Sequence, residues 1–248
     1  MVYLKISIIL FIIITIFIKF NNKKEKFENN YKYTAVIVEP REHKALDFVL
    51  QNFNDNLSVE WQFIVFHGNK NKEYTEKICK RIFIPERIKL ENLNVDNLTI
   101  TEYNKLLYSE EFYNKIPTET FLIFQTDTII CSKHKELINK FLDYDYVGAP
   151  WINKNVGNGG LSLRKKSKML EILNNCNHDD NTNEDIFFSE SCDKVTINKP
   201  TYDDAKLFSI ETVNSDKSFG IHKAYNYLDI NTINGWCPEI NILNELNI

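Results

Sequence analysis

The pattern that most constrains the fold is an alternation of apolar, strand-like runs and amphipathic helical runs between residues 33 and 128. The strand-like runs are rich in β-branched and aromatic residues, and the runs between them carry apolar residues at helical spacing. This alternation is typical of a Rossmann-like, mostly parallel sheet with helices on both faces, so the predicted fold class is α/β. The strands are predicted at 33–39, 60–68, 87–93 and 120–128, and the helices at 43–53, 72–82 and 99–116.

The second half of the chain departs from this alternation. Residues 133–151 predict a helix followed by a Tyr-rich strand or turn, and residues 156–173 predict turns, a short strand and a helix. Gly157, Gly159 and Gly160 lie within four positions, although the whole chain has only 7 glycines. Such clustering indicates tight turns or a close approach of the backbone to a ligand.

The N-terminus is almost wholly apolar from Ile6 to Ile18. With its flanking residues this run approaches the length of about 20 residues that a bilayer core needs. No small residues of the kind that signal-peptide cleavage requires follow it. The sequence therefore predicts an uncleaved transmembrane helix at 1–20, a polar linker at 21–32 and an α/β domain at 33–248.

The protein is thus predicted to be a single-pass membrane protein, located in an endomembrane (ER or Golgi) or in a viral or host membrane. Its orientation stays open. Lysines follow the apolar run more often than they precede it, which favours a cytosolic domain. The glycosylation sequons at Asn56 and Asn97 favour a lumenal one.

Composition excludes several classes of protein. The net charge is −4, with 30 Lys and Arg against 34 Asp and Glu, so no basic footprint for nucleic acid exists and no nucleic-acid partner is predicted. The 5 cysteines are widely spaced and form no C-x-x-C pair, which argues against a zinc knuckle or a thioredoxin-like site. Their odd number predicts that most are reduced. No P-loop sequence is present.

An acid stands at the end of the fourth predicted strand. The apolar residues 121–124 run directly into Gln125, Thr126 and Asp127. An unpaired carboxylate in a core is costly, whereas ligands of doubly wound sheets bind beyond the carboxyl ends of the strands. Asp127 is therefore a candidate ligand for a divalent cation on a diphosphate, with capping of the next turn as the alternative. The literal D-x-D at 143–145 follows a predicted helix and is the weaker candidate.

Two later segments carry further candidates. Glu184 and Asp185 open a predicted helix, where acids either stabilise the helix N-terminus or serve as a general base for an acceptor hydroxyl. His222 lies in an apolar segment after a glycine, as a packing residue or as a nitrogen ligand. Together with Asp127 it would suit Mn²⁺.

The order of these features resembles metal-dependent glycosyltransferases of the GT-A fold. The segment 157–164 and the triplet 184–186 are similar to the GGGYVLS and EDV motifs of β-1,3-glycosyltransferases and fringe-like enzymes. A closer resemblance, over about residues 33 to 240, is to the domain-of-unknown-function family 5672. The similar blocks occur in order as AVIVEPREHKALDFVLQNF, WQFIVFHG, FQTDT, YDYVGAPW, VGNGGLSLR, NEDIFF and FGIHKA.

The resemblance implies transfer of a sugar, with inversion, from a nucleotide-sugar donor to a glycan, protein or lipid acceptor. It implies a divalent cation, Mn²⁺ or Mg²⁺, held by Asp127 and His222. Asp185 would be the base and Glu184 would position a sugar. Gln125 stands where the first acid of the usual D-x-D motif would be. Further contacts with the donor or acceptor would come from Glu39, Arg41, Gln125, Thr126, Gly159, Gly160 and Lys223.

Two other functions stay open. One is a membrane-anchored pseudoenzyme of the same fold that binds a sugar nucleotide or a glycan without turnover, which Gln125 favours. The other is a phosphoryl- or nucleotidyltransferase that uses the same acids with a metal. Release of free nucleoside diphosphate separates the first from a glycosyltransferase, and product analysis separates the second.

Overall fold

A computed structural model of the protein describes residues 31–179 and 182–247. The predicted transmembrane helix at 1–20 lies outside the described residues. Within them, no helix combines the length and the apolar character that crossing a bilayer requires.

The strands of the described residues belong to a large and a small sheet. They are β1 (Tyr33–Val38), β2 (Trp61–His67), β3 (Ile88–Asn92), β4 (Thr120–Phe124), β5 (Thr128–Ile130), β6 (Tyr146–Pro150), β7 (Val156–Lys165), β8 (Ser209–Ile210) and β9 (Gly220–His222).

The α-helices are mostly short and connect these strands. They are α1 (Leu46–Asn56), α2 (Lys72–Ile82), α3 (Ile100–Leu107), α4 (Glu110–Asn114), α5 (Lys166–Asn175), α6 (Glu184–Glu190), α7 (Tyr202–Phe208), α8 (Ile230–Asn234) and α9 (Ile240–Asn247). Short 3₁₀ helices span Pro85–Arg87, Ser132–Lys140 and Ala224–Asn226.

The large sheet has the strand order β3-β2-β1-β4-β7-β6. The first four of these strands run parallel, whereas β7 pairs antiparallel with both β4 and β6. The predicted α/β class is confirmed, and the sheet is mixed, with parallel pairing on its β3-β2-β1-β4 side and antiparallel pairing of β7 with its two neighbours. The short connection between β6 and β7 joins these two strands as a hairpin, and a hairpin is necessarily antiparallel.

Helices cover both faces of this sheet because successive strand residues point to opposite sides. In β1, Ala35 and Ile37 contribute to one apolar core, while Val36 and Val38 contribute to the other. The first core is covered by α1, α2 and the C-terminal helices, and the second by α3 to α6. Side chains of β1 and β4 pack into both cores, and the site forms at the edge of the sheet where these two strands end.

Asp127 lies in a turn rather than within a strand. The predicted strand at 120–128 ends at Phe124, because the carbonyl of Gln125 accepts hydrogen bonds from the backbone N–H (3.2 Å) and the hydroxyl (2.7 Å) of Thr128. This turn moves the chain from the large sheet into the small one, whose order is β5-β9-β8.

Two predicted helices differ from the structure. The helix expected at 99–116 is divided into α3 and α4, because the hydroxyl of Ser109 accepts a hydrogen bond from the N–H of Phe112 and starts a second helix. Thr99 caps α3 in a capping box with Glu102. The helix expected within 133–151 is a 3₁₀ helix. The helix expected at 72–82 is confirmed as α2.

The prediction that most cysteines are reduced is wrong. Cys131 pairs with Cys237 and Cys176 pairs with Cys192, whereas Cys79 is free and buried. An odd number of cysteines is also compatible with two disulfides and one free thiol, which is the arrangement found here. The partners of the first pair are separated by 106 positions, so only the fold brings them together.

Candidate functional site

A pocket of about 520 Å³ opens where the parallel strands β1 and β4 end. Its wall combines the end of β1, the loop before α3, the turn after β4, part of β7, the start of α6 and the ends of β8 and β9. Open α/β sheets bind ligands at this edge. The pocket is lined by all the predicted site residues, namely Glu39, Arg41, Gln125, Thr126, Asp127, Gly159, Gly160, Glu184, Asp185, His222 and Lys223.

The small sheet brings Asp127 and His222 into contact. Strands β5 and β9 pair antiparallel with Thr128 opposite His222, and the backbone N–H of Lys223 donates to the carbonyl of Asp127 at 2.9 Å. As a result, Nε2 of His222 lies 3.5 Å from Oδ1 of Asp127. Two side chains that are distant in the sequence thus face one another in the pocket.

This contact lacks a positive charge. Oδ1 of Asp127 is buried and has no hydrogen-bond partner among the described residues. Burial lowers the pKa of His222 below its ordinary value, so its ring is neutral at pH 7 and does not offset the carboxylate. A buried carboxylate oxygen without a partner is unfavourable. A carboxylate oxygen and a neutral imidazole nitrogen are a donor set that suits Mn²⁺.

The donor set is small for a metal site made by protein alone. Among residues 31–179 and 182–247, no group of three or more His, Cys, Asp and Glu side chains is placed to hold a metal ion. Mg²⁺ in phosphate-binding sites is commonly held by one or two carboxylates together with water and phosphate oxygens. Asp127 and His222 therefore fit a cation that is shared with a bound diphosphate.

Arg41 reaches the pocket from the end of β1. Its Nε and Nη2 each donate to a carboxylate oxygen of Glu39 at 2.8 Å, and this hydrogen-bonded partner raises the pKa of Arg41. Asn71 donates to the carbonyls of both residues and fixes their loop. The guanidinium has five N–H donors, so this ion pair leaves some for an anion. Glu39 therefore orients the guanidinium of Arg41 in the pocket.

Glu184 is held by a residue that the sequence analysis did not identify. Nη1 and Nη2 of Arg164 donate to its two oxygens at 2.6 and 3.0 Å. Arg164 is fully buried on β7, with its guanidinium over the rings of Tyr146 and Phe188. Any positioning of a sugar by Glu184 would have to act together with this ion pair.

Asp185 faces the pocket from the first turn of α6. Its Oδ2 accepts a hydrogen bond from the N–H of Gly159 at 3.1 Å, and its Oδ1 accepts one from the N–H of Ile186 at 2.9 Å. Burial, and after it the charge of Glu184, raise the pKa of Asp185 above its usual range. A higher pKa makes a carboxylate a stronger base, while the backbone contacts also suit a helix cap.

The two pocket glycines make room for side chains of the site itself. A Cβ at Gly160 would lie 2.2 Å from Nε2 of His222, and a Cβ at Gly159 would lie 2.6 Å from Oε1 of Glu184. No larger residue fits these positions without a shift. The predicted approach of a sugar to their backbone stays a prediction, because protein fills the space beside both Cα atoms.

The polar pocket residues that were not predicted as site residues include Tyr103, Asn158 and Glu211. Nδ2 of Asn158 donates to Oε2 of Glu211 at 3.0 Å, and Nε2 of Gln125 donates to the hydroxyl of Tyr103 at 3.4 Å. Burial raises the pKa of Glu211 to about 7. Glu211 follows the apolar residues of "LFSI", the same signal that identified Asp127.

Two further predictions concern Thr126 and the D-x-D segment at 143–145. The hydroxyl of Thr126 lies 3.5 Å from Oε2 of Glu39. The literal D-x-D at 143–145 does not line the pocket, and Oδ2 of Asp145 accepts a hydrogen bond from the N–H of Asn198 at 2.8 Å.

Solved structures share this fold. The mannosyltransferase PcManGT from Pyrobaculum calidifontis, in complex with GDP-Man and Mn²⁺, is 10% identical, with 68% of this chain and 54% of that chain covered and a TM-score of 0.51. The apo-form glycosyltransferase GlyE of Streptococcus pneumoniae TIGR4 is 11% identical, with 80% of this chain and 55% of that chain covered and a TM-score of 0.51. The chain spans about half the length of each. At this identity the likeness shows a glycosyltransferase-like fold alone.

Comparison with curated proteins found no match. The family described as "Protein of unknown function (DUF5672)" matches residues 87–222, more than half of the chain. The matched range contains the turn after β4, all of β7, the start of α6 and His222. The resemblance that the sequence blocks indicated is therefore confirmed, and the chain belongs to the DUF5672 family.

Proposed function

We propose that this protein is a metal-dependent glycosyltransferase that moves a sugar from a nucleoside-diphosphate donor to an acceptor hydroxyl. The observation that carries the proposal is the buried Oδ1 of Asp127, which has no hydrogen-bond partner among the described residues and faces Nε2 of His222. The glycosyltransferase-like fold supports it, as does the pocket at the carboxyl ends of the parallel strands. One of the similar structures holds GDP-Man and Mn²⁺.

The donor diphosphate would be held by charges that line the pocket. Asp127 and His222 would hold Mn²⁺ or Mg²⁺, and when bound this cation stabilises the negative charge of the departing diphosphate. Arg41 and Lys223 also line the pocket and would contact phosphate oxygens. Glu39 keeps Arg41 in one orientation before the donor arrives.

Asp185 would take the proton of the acceptor hydroxyl. As the acceptor oxygen forms its bond to the anomeric carbon, the bond from that carbon to the phosphate oxygen breaks, and the diphosphate leaves with the electron pair. The N–H of Gly159 holds the carboxylate of Asp185 in place for this transfer. Attack from the face opposite the leaving group inverts the anomeric centre.

A pseudoenzyme that binds a sugar nucleotide is the second candidate. Two features favour this candidate. Two backbone N–H groups already donate to the carboxylate of Asp185, and Gln125 stands where the usual D-x-D motif has an acid. This protein would bind the donor in the same pocket but release no nucleoside diphosphate. A phosphoryl- or nucleotidyltransferase would instead transfer a phosphorus group, so its labelled product would carry phosphate.

The location is part of the proposal. We place an anchor at 1–20, ahead of a transferase domain at 33–248, with this domain in an oxidising compartment such as an ER or Golgi lumen. The two disulfides support that side of the membrane, since disulfides persist in oxidising compartments and are rare in the cytosol. Thiol labelling of protein from intact cells, without reductant, would find only Cys79 reduced.

The experiment is a screen of sugar nucleotides with and without Mn²⁺, which records release of nucleoside diphosphate and the fate of a labelled sugar. We expect release with at least one donor, dependent on Mn²⁺ or Mg²⁺ and lost in Asp185→Asn. Donor binding without release from any donor, whether acceptors or water are offered, would support the pseudoenzyme instead.

A further inference from the structure

We propose that Asn158 is a positioning residue that fixes the ring of His222 with its proton on Nδ1, so that Nε2 presents its lone pair to Asp127. Glu211 in turn orients Asn158. The inference deepens the proposed function and rests on it, because the cation that Nε2 would bind belongs to that function.

The orientation of the Asn158 amide is set by two neighbours. The backbone N–H of Gly160 donates to Oδ1 at 3.2 Å, and Nδ2 donates to Oε2 of Glu211 at 3.0 Å. A flipped amide would place its NH₂ group against the N–H of Gly160 and its oxygen against the carboxylate. Both contacts therefore assign the same atoms as oxygen and nitrogen.

The amide oxygen then determines the proton position on His222. Nδ1 of His222 lies 2.7 Å from Oδ1 of Asn158, and an amide oxygen only accepts. Oε1 of Glu211 lies 3.3 Å from the same ring nitrogen and is a second acceptor. Nδ1 is thus the donor, and in the neutral ring Nε2 carries the lone pair.

The lone pair of Nε2 and the unpartnered oxygen of Asp127 are 3.5 Å apart. Two acceptors at this separation repel one another, whereas a cation bound by both is stabilised by both. Replacing a residue that orients a metal-binding histidine in this way commonly lowers metal affinity by about 10- to 100-fold.

The glycine-rich segment acquires a specific role from this arrangement. Asn158 and Gly160 are neighbours on β7, and the ring of His222 lies where a Cβ of Gly160 would be. Gly160 leaves space for the ring and lends its N–H to Asn158, while Asn158 sets the tautomer. In this proposal the segment positions the ring of His222.

The first test is the ring tautomer, measured without metal by ¹H–¹⁵N NMR on protein labelled with ¹⁵N-histidine. The His222→Gln variant assigns the resonances. We expect the Nδ1–H form in the wild-type protein, a shift towards Nε2–H in Asn158→Leu, and retention of Nδ1–H in Glu211→Gln, where an amide oxygen can still accept from Asn158. Asn155→Leu is the control, since this exposed amide bonds to Glu190 outside the pocket.

The second test is Mn²⁺ binding, followed by the EPR signal of free Mn²⁺, alone and with GDP or UDP. We expect Asn158→Leu to weaken Mn²⁺ binding by about 10- to 100-fold, with Asn155→Leu close to wild type. If Asn158→Leu does not fold, Asn158→Ala removes the amide without placing a branched apolar group against Glu211 and His222.

A wild-type ring protonated on Nε2 would overturn the inference. So would a folded Asn158 variant that keeps both the tautomer and the Mn²⁺ affinity of the wild-type protein. A tautomer that depends on Asn158 in a protein that binds no Mn²⁺, even with GDP or UDP, would support the positioning of His222 and contradict the metal-dependent function.

Discussion

Two carboxylates in the same pocket have opposite surroundings. Glu184 has both oxygens paired with the guanidinium of Arg164, which itself packs between aromatic rings. Asp127 has one buried oxygen with no hydrogen-bond partner among the described residues, and it faces a neutral histidine. One negative charge is balanced inside the fold and the other is not.

The difference separates a structural acid from a ligand-binding one. A buried charge that serves the fold needs a partner that is always present, because the folded chain must be stable without a ligand. A charge that serves a ligand needs its partner only in the complex. By this criterion we expect a scaffold role for Glu184 and a ligand-binding role for Asp127, and both roles stay predictions.

The largest effect on stability is expected when the balanced side is broken. Arg164→Met removes the partner of Glu184 and leaves a buried carboxylate, so the free energy of unfolding should fall by about 3–5 kcal/mol. Urea denaturation measures this. The double variant Arg164→Met/Glu184→Gln removes both charges and should recover part of the loss. An unchanged free energy in the single variant would show that Glu184 is not balanced by Arg164.

Asp185→Asn should lower kcat by about 10²-fold or more, with donor affinity nearly unchanged. The amide keeps the shape of the side chain but cannot accept the proton of the acceptor. Steady-state kinetics and donor binding by calorimetry distinguish the two quantities. Near-normal turnover would make Asp185 a helix cap like any other first-turn acid.

The two disulfides allow a smaller comparison of two regions, because each belongs to a different apolar core. Cys131–Cys237 follows the turn of Asp127 and closes a separation of 106 positions, while Cys176–Cys192 brackets α6 and closes 16. In the chain-entropy account the longer loop contributes more, by about 1–2 kcal/mol. Double Cys→Ser variants compared by urea denaturation measure the difference, and equal losses would refute this account.

The pH dependence of kcat/KM should show the environment of Asp185. A general base works only without its proton, so the rate falls as pH falls through its pKa. Burial and the charge of Glu184 raise this pKa, so the acid limb should lie above the ordinary aspartate value of 3.8. The limb should be absent from the residual activity of Asp185→Asn. A limb at or below the ordinary value would contradict the buried setting of Asp185.

The sequence predicted the parallel half of the fold because each strand there is an unbroken apolar run between helical patterns. It predicted Asp127 because this acid directly follows such a run, whereas most of the other pocket residues were implied by the family resemblance. The same signal at Glu211 was overlooked, since a two-residue strand gives little pattern. Arg164 gave no such signal, because Ser162 and Lys165 of the same strand are polar as well and no local pattern marks Arg164 as the buried one.

Other features depend on contacts between distant parts of the chain. The pairing of β5 with β9 sets His222 against Asp127, and no local pattern predicts the partner of a three-residue strand. The same holds for Cys131 and Cys237, whose separation exceeds any local motif. The role of Gly160 follows only once the ring of His222 is seen beside it.

The proposed function depends most on Asp127, whose carboxylate would hold a cation together with a donor diphosphate. The direct measurement is calorimetry of donor binding to the wild-type protein and to Asp127→Asn, each with Mn²⁺ and with EDTA, using a sugar nucleotide that the screen identifies. We expect strong binding only for the wild-type protein with Mn²⁺, and an Asp127→Asn protein that is at least as stable in urea but indifferent to Mn²⁺. Equal donor affinity for both proteins in the presence of Mn²⁺ would contradict it.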